Sequence, residues 1–163
     1  MIRPAKMEEL EEILVIYEKA RAFMRKTGNM NQWSGGFPPR ELLEQDIGQG
    51  RLHVCVRNGR LCGSFYLMGD PDPTYAVIEQ GAWRSDEPYG TMHRVASDGT
   101  EHGVFAEMSA FAKERYAHLR IDTHADNKVM QHTVEKYGFI YCGIIHLENG
   151  DPRMAYEYIK DEQ

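Results

Sequence analysis

Two histidines on neighbouring predicted strands are the side chains best placed to move a proton. His93 lies in an apolar run that ends at Ala96, and His124 closes the next such run along the chain. Histidine titrates near neutral pH, so either side chain could act as a general base, and Glu79 is a third candidate. Each histidine could equally be a hydrogen-bonded structural residue of its strand, and that alternative stays open.

A predicted strand, turn and helix in residues 92–111 could hold an anion. An apolar run is followed by a polar turn over residues 97–102 and by apolar positions at helical spacing from Gly103 onward. The first N–H groups of a helix have no partner within it and point, with the positive end of its dipole, into the preceding turn. This backbone is a candidate phosphate site, although most such units are only connections.

Asp122, His124 and Asp126 alternate in a way that could suggest metal ligands. We expect Asp126 and Asn127 to cap the following helix instead, so no metal site is predicted. Arg94 lies within an otherwise apolar strand and needs an acidic partner or a route to water.

Composition favours one globular domain over residues 1–163, of which 42% are hydrophobic. The net charge is -6, and no segment gathers the Lys and Arg that a nucleic-acid backbone requires. Three widely spaced cysteines without a Cys-x-x-Cys pair argue against a disulfide framework and a zinc site. The first residues lack the apolar core of a signal peptide, and no apolar run approaches a membrane span. We therefore expect a cytoplasmic protein that binds neither nucleic acid nor a membrane.

The elements that must position these residues form a predicted α/β mixed sheet of about six or seven strands with helices on both faces. The predicted helices cover residues 6–26, 40–47, 103–116 and 128–137, and the predicted strands cover residues 2–4, 52–57, 61–68, 92–96, 119–124, 140–147 and 154–159. Asn58-Gly59 is the signal for a two-residue hairpin. The sheet should be antiparallel at its start and parallel where helix 103–116 crosses between strands. Asp72 as N-cap before Pro73 predicts a short helix ending at Gly81, with a strand over 75–80 as the alternative.

A polar, Gly-rich loop over residues 29–37 carries the large apolar side chains Met30, Trp33 and Phe37. Such side chains either plug the core or line a pocket, and for Trp33 both readings are equally open. Trp83 and Tyr89 could form the opposite wall of a pocket, though packing explains them equally well.

The order of elements, the unit at residues 92–111 and the run at residues 125–140 together resemble the GNAT superfamily of acyl-CoA-dependent N-acetyltransferases. In that family the strand before the turn contacts the pantetheine arm, the turn wraps the pyrophosphate, and an Asn followed by a later Gly-Phe pair marks the next helix and strand. Those positions are Asn127, Gly138 and Phe139 here. The resemblance implies acetyl-CoA as co-substrate and a GNAT-like fold. It implies these donor contacts: Val95, Ala96, His102, Gly103, Val104, Phe105 and Asn127.

The loop at residues 29–37 also looks like the Q-W loop of a bacterial GNAT subgroup. That likeness places Gln32, Trp33 and Phe37 near the acceptor. The acceptor implied by the family is a primary amine of a small molecule or peptide. No metal is implied, and homodimer formation is left open.

Two positions depart from the family's pattern. The turn keeps only its middle glycine, with Thr100 in place of a long polar side chain and Phe105 in place of a small one. The tyrosine that many members use as general acid is Val134 here, and Tyr137 lies on a different side of the helix. Two hypotheses follow: an N-acetyltransferase working by direct attack of the amine, or a non-catalytic acyl-CoA-binding or regulatory module on the same fold.

Overall fold

A seven-stranded mixed sheet separates two pairs of helices in the computed structural model, which describes residues 1–161. The strands are β1 (Ile2–Pro4), β2 (Leu52–Arg57), β3 (Arg60–Met68), β4 (Gly90–Ser97), β5 (His118–Thr123), β6 (Ile140–His146) and β7 (Pro152–Ile159). The helices are α1 (Leu10–Lys26), α2 (Arg40–Gly48), α3 (Val104–Arg115) and α4 (Lys128–Lys136). The strand order is β1-β2-β3-β4-β5-β7-β6, and only β4 and β5 run parallel. The predicted fold class is confirmed.

Each face of the sheet has its own apolar core because side chains alternate along the strands. Helices α1 and α2 cover one face, where Ile13, Tyr17 and Leu43 are fully buried against β2 and β3. Helices α3 and α4 cover the other face, where Met108 and Val134 pack on the central strands. The two helix pairs thereby fix β4 and β5 from both sides.

The predicted short helix over residues 72–81 is wrong beyond its first turn. Asp72 does cap a turn, but the turn is a 3-10 helix limited to Pro73–Tyr75. The chain then runs along the free edge of β6, where Glu79 and Ile144 exchange two backbone hydrogen bonds of 2.8 Å. A Cβ atom at Gly81 would lie 1.9 Å from the carbonyl oxygen of Cys142, so only glycine permits this approach. Bonds to the sheet edge replace the bonds that a helix would have made.

Strands β4 and β5 pair over only two positions, Gly90 with Leu119 and Thr91 with Arg120. Beyond them the two strands part and leave a wedge between them. In β4 the register with β3 also breaks, because Arg94 has a positive φ of 51° and forms a bulge with Val95. Those two residues have no register partner in β3. The bulge turns part of the backbone of β4 towards the wedge.

Buried contacts hold the bulge in place. The Arg94 guanidinium pairs with the buried Asp46 carboxylate of α2 at 2.8 Å. Asp46 is therefore one of the two kinds of environment predicted for Arg94, an acidic partner. The Tyr17 hydroxyl of α1 donates a 2.6 Å hydrogen bond to the Arg94 carbonyl. Burial raises the pKa of Asp46 further than Arg94 lowers it. The wedge is therefore braced by both helices behind it.

Candidate active site

A cavity of about 360 Å³ occupies the wedge between β4 and β5. Its walls come from both strands, the loop before α2, the start of α4 and the β6–β7 turn. Six of the predicted catalytic, donor-binding and acceptor-binding residues line it: Gln32, Trp33, Phe37, His93, Val95 and Asn127. The fold therefore brings one candidate base, the acceptor loop and two candidate donor contacts to one place.

His93 forms a close pair with Asp72 on the cavity wall. Its Nε2 atom lies 2.6 Å from Asp72 Oδ2. Burial raises the pKa of Asp72, but hydrogen bonds from His93 and Thr74 lower it more, to about 2. Asp72 is thus ionised at neutral pH and acts as an acceptor. The His93 Nδ1 atom lies 3.7 Å from Asp122 Oδ2, too far for a hydrogen bond.

Trp83 and Tyr89 lie behind this pair rather than in the cavity. The Tyr89 hydroxyl accepts a 3.0 Å hydrogen bond from the Asp72 backbone N–H. The Trp83 indole donates to the Tyr75 carbonyl at 2.9 Å, and the Tyr75 hydroxyl donates to Asp122 at 2.6 Å. Both aromatic residues therefore support the residues around His93, and together with Asp72 they line a second pocket of about 370 Å³ next to the cavity.

The other two candidate bases lie outside the cavity. The His124 Nδ1 atom accepts a 2.9 Å hydrogen bond from the Asp126 backbone N–H, which braces the turn before α4. Burial and the nearby Arg153 lower the pKa of His124. Glu79 is exposed at the sheet edge and is held there by its backbone. His93 is thus the candidate base that the structure places where a substrate could reach it.

Arg25 holds the loop at residues 29–37 against α1. Its guanidinium donates to three loop carbonyls, at 2.8 Å to Asn29, 2.9 Å to Gln32 and 3.0 Å to Trp33. The Trp33 ring packs 5.7 Å from the buried Tyr17 ring and also lines the cavity. Trp33 therefore packs against the core and also forms part of the cavity wall, as both alternatives predicted.

Gln32 ties this loop to the far side of the wedge. Its Oε1 atom accepts 2.9 Å hydrogen bonds from Asn29 Nδ2 and from Asn127 Nδ2. Asn127 in turn caps α4 by accepting a 3.0 Å bond from the Met130 backbone N–H, as its position before the helix predicted. The amide pair Gln32 and Asn127 therefore joins the loop and α4 across the cavity.

The turn before α3 has the geometry of an anion site. Gly103 is the N-cap with φ of 70°, and no side chain caps the helix. Arg60 pairs with Asp98 at 2.6 Å and donates to Thr100, and Arg57 donates to the His102 carbonyl. Two guanidinium groups thus brace the turn from the β2–β3 hairpin, in place of the long side chain missing at Thr100.

The two departures from the family's pattern have a structural outcome. The Phe105 ring packs 5.8 Å from the Tyr137 ring and 6.4 Å from the Phe139 ring, so the side chain fills the space between α3 and α4. Val134 is 1% exposed and belongs to the apolar core. No tyrosine lines the cavity in residues 1–161. A tyrosine acid is therefore absent from the described walls.

The sequence does not identify every side chain of the candidate site. It predicts Asp72 as a helix cap and offers Asp122 as a possible metal ligand, but no local pattern connects either residue to His93, because they come together only in the folded chain. Arg153, in β7, also lines the cavity. An arginine at the start of a closing strand, after a polar turn, is a weak signal that could have drawn attention to it.

Within residues 1–161 no helix has the length and apolar character needed to cross a membrane. The same residues contain no group of three or more His, Cys, Asp or Glu side chains arranged to hold a metal ion.

Comparisons with known proteins identify relatives of this fold. A GNAT-family acetyltransferase from Streptococcus agalactiae matches with a TM-score of 0.88 and 32% identity, over 99% of this chain and 96% of that one. A putative acetyltransferase from Staphylococcus aureus matches with a TM-score of 0.69 and 25% identity, over 98% of both chains. A ribosomal-protein-alanine N-acetyltransferase from Brucella melitensis shares the fold, with a TM-score of 0.63 and 19% identity over 98% of this chain and 99% of that one. No family model and no curated protein matches the chain.

Proposed function

The chain belongs to the GNAT family of acetyltransferases, and we propose that it transfers an acetyl group from acetyl-CoA to a primary amine of a small molecule or peptide. The observation that carries this proposal is the cavity between β4 and β5 with the paired His93 and Asp72 on its wall. Acetyl-CoA would supply the acetyl group as a thioester that is open to attack.

The turn and the bulged strand fit such a donor. The uncapped N–H groups at His102 to Phe105 and the adjacent helix dipole would hold phosphate oxygens. Arg57 and Arg60, which are paired with Glu107 and Asp98, would keep the turn in place beside them. The backbone at Val95 and Ala96 would contact the extended arm, with Asn127 at the other wall.

His93 would accept the proton of the amine. Since Asp72 is an ionised acceptor, the Nε2 atom of His93 carries the hydrogen of their bond, which leaves the lone pair on Nδ1. Asp122 Oδ2, which accepts from the Tyr75 hydroxyl and lies 3.7 Å from Nδ1, makes no hydrogen bond to that nitrogen. A positioned base of this kind contributes about 10²- to 10⁴-fold to a rate.

The remaining steps use the backbone and the leaving group's own chemistry. As the amine nitrogen bonds to the acetyl carbon, the carbon–sulfur bond breaks and the amine proton passes to His93. The N–H groups of the bulge at Arg94 and Val95, two residues without a register partner in β3, would face the negative charge on the carbonyl oxygen. A thiol has a pKa of about 8.5, so its thiolate leaves near neutral pH without a tyrosine acid. This mechanism therefore needs no tyrosine at position 134, where this chain has valine.

Calorimetry with acetyl-CoA and a thiol-release assay over a panel of amines test the proposal. We expect saturable acetyl-CoA binding and thiol release that depends on an amine. His93→Gln should lower kcat/KM by about 10²-fold or more without changing acetyl-CoA affinity. His146→Gln, on the exposed end of β6, is the matched control and should change neither.

Two results would count against this function. Absence of binding at millimolar acetyl-CoA would overturn it altogether. Tight binding with no transfer to any amine would instead favour the non-catalytic acyl-CoA-binding or regulatory module.

A further inference from the structure

Arg153 presents a buried guanidinium to the cavity. It lies in β7, is 7% exposed and lines the same cavity as His93. The only hydrogen bond of the guanidinium within residues 1–161 runs from Nη1 to the carbonyl of its neighbour Pro152, at 2.9 Å. No carboxylate of those residues lies within 4.0 Å of it. By contrast Arg94, in the same cavity, is paired with Asp46 at 2.8 Å.

A buried cation without a close anion is costly in a folded protein. Burial lowers the pKa of Arg153, and the charges of Asp122 and Asp151 only partly offset that effect. A guanidinium has five N–H donors in a planar fork that matches a carboxylate. Since one donor is used by Pro152, the rest of the fork is left for an anion in the cavity.

The opposite charge lies closer to His93. Asp72 and Asp122 both line the cavity, and Asp122 Oδ2 is 3.7 Å from His93 Nδ1. Asp122 pairs in register with Ala155, two residues from Arg153, so both side chains lie on the same face of the sheet. Asp151 also lines the cavity near Arg153, but two carboxylates gather at His93, whereas the Arg153 guanidinium has no carboxylate of residues 1–161 within 4.0 Å.

We propose that the acceptor is a small amine that carries a carboxylate, of the amino acid class, and that Arg153 binds the carboxylate while the amine faces His93. The proposal rests on the acetyltransferase function proposed above and names the substrate class of that site. A cavity of about 360 Å³ is of the size that takes a small molecule. Asp72 and Asp122 would attract the ammonium form, which releases one proton to solvent before the neutral amine attacks.

The test compares free amino acids with their own carboxamides as acceptors. Each pair differs only in the carboxylate, so the kcat/KM ratio within a pair measures its recognition. We expect wild-type protein to favour the acids, with Arg153→Gln reducing that preference by roughly 10- to 100-fold through KM. The preference of Arg153→Lys should lie between those of the wild-type protein and Arg153→Gln, because lysine keeps the positive charge but lacks the planar set of donors of a guanidinium.

Calorimetry with the same amino acids, in the absence of acetyl-CoA, gives a second readout that does not depend on turnover. Wild-type protein should bind the acids more tightly than the amides, and Arg153→Gln should remove the difference. Arg115→Gln, which alters an exposed arginine of α3, is the matched control and should leave both ratios unchanged. Unchanged acetyl-CoA affinity shows that a variant is folded. If Arg153→Gln does not fold, the acid-to-amide ratio of the wild-type protein and that of Arg153→Lys provide the test.

The outcomes separate this inference from the function on which it rests. Transfer to amines with no preference for the carboxylate, or an equal loss for acids and amides in Arg153→Gln, overturns the role of Arg153 and leaves the acetyltransferase intact. A preference for amides would point to the N-terminus of a peptide as acceptor and would also overturn it. Absence of transfer to every amine overturns both.

Discussion

Replacing Asp72 by Asn removes the negative charge that lies 2.6 Å from His93 Nε2. The same carboxylate accepts two hydrogen bonds from Thr74, at 2.9 Å from its N–H and 2.7 Å from its hydroxyl. An amide keeps one acceptor oxygen but cannot balance charge at His93. The change therefore isolates the contribution of the ionised carboxylate.

The magnitude follows from the acidity of this group. The pKa of Asp72 is about 2 against an ordinary value of 3.8, because its hydrogen bonds outweigh the opposing effect of burial. That difference corresponds to about 2 kcal/mol of folding stability. Since the pKa is lowered in the folded state, this stability is present above about pH 4 and is lost as the pH falls through 3.8 towards 2.

Urea unfolding of wild-type protein and Asp72→Asn at pH 7 and pH 3 measures this difference. We expect the variant to be less stable by about 2 kcal/mol at pH 7 and by clearly less at pH 3. Asp70→Asn, an exposed carboxylate paired with Arg51 at 2.8 Å, should cost no more than about 1 kcal/mol. A loss that is equal at both pH values, or equal in the two variants, would refute the reasoning. In the acetyl-transfer assay Asp72→Asn should also lower kcat/KM, since His93 loses the partner that fixes its proton.

Three further changes test other parts of the site. Gln32→Ala removes the acceptor of two amide hydrogen bonds and should lower the free energy of unfolding in urea by about 1 to 3 kcal/mol. Gly103→Ala should weaken acetyl-CoA binding, as measured by calorimetry, because a φ of 70° strains any other residue in the turn. The control Gly50→Ala, at a φ of 72° just after α2, should lower stability by a similar amount without changing that affinity. Val134→Tyr should lower the free energy of unfolding by about 1 to 3 kcal/mol in thermal or urea unfolding, because position 134 lies in the apolar core. For the same reason the new tyrosine should add no catalytic acid. The control Val129→Tyr, at an exposed position, should leave the stability unchanged.

Local signals predicted most of the elements. The helical spacing of Leu10, Ile13, Tyr17 and Met24 predicted α1, and those residues are buried together. Asn58-Gly59 predicted the hairpin between β2 and β3, which has its turn there. These features depend on residues close in sequence, so pattern and propensity are sufficient to find them.

The partners at the site could not be predicted in the same way. Asp72 and His93 meet because the segment after β3 folds back over the sheet, and nothing in the spacing of the two residues indicates that contact. The same segment was predicted as a longer helix because pairing with the edge of β6 depends on the whole sheet. That Arg153 has no carboxylate of residues 1–161 within 4.0 Å is likewise a property of the assembled cavity, which depends on contacts between residues far apart in the sequence.

A crystal structure of the protein with acetyl-CoA would test the proposed site directly. We expect the phosphates to lie at the N–H groups of the turn before α3 and the acetyl group to lie between β4 and β5, with its carbonyl oxygen at the bulge near Val95 and its carbon open to the side of His93. An acetyl group outside that wedge, or on the far side of β4 from His93, would contradict it.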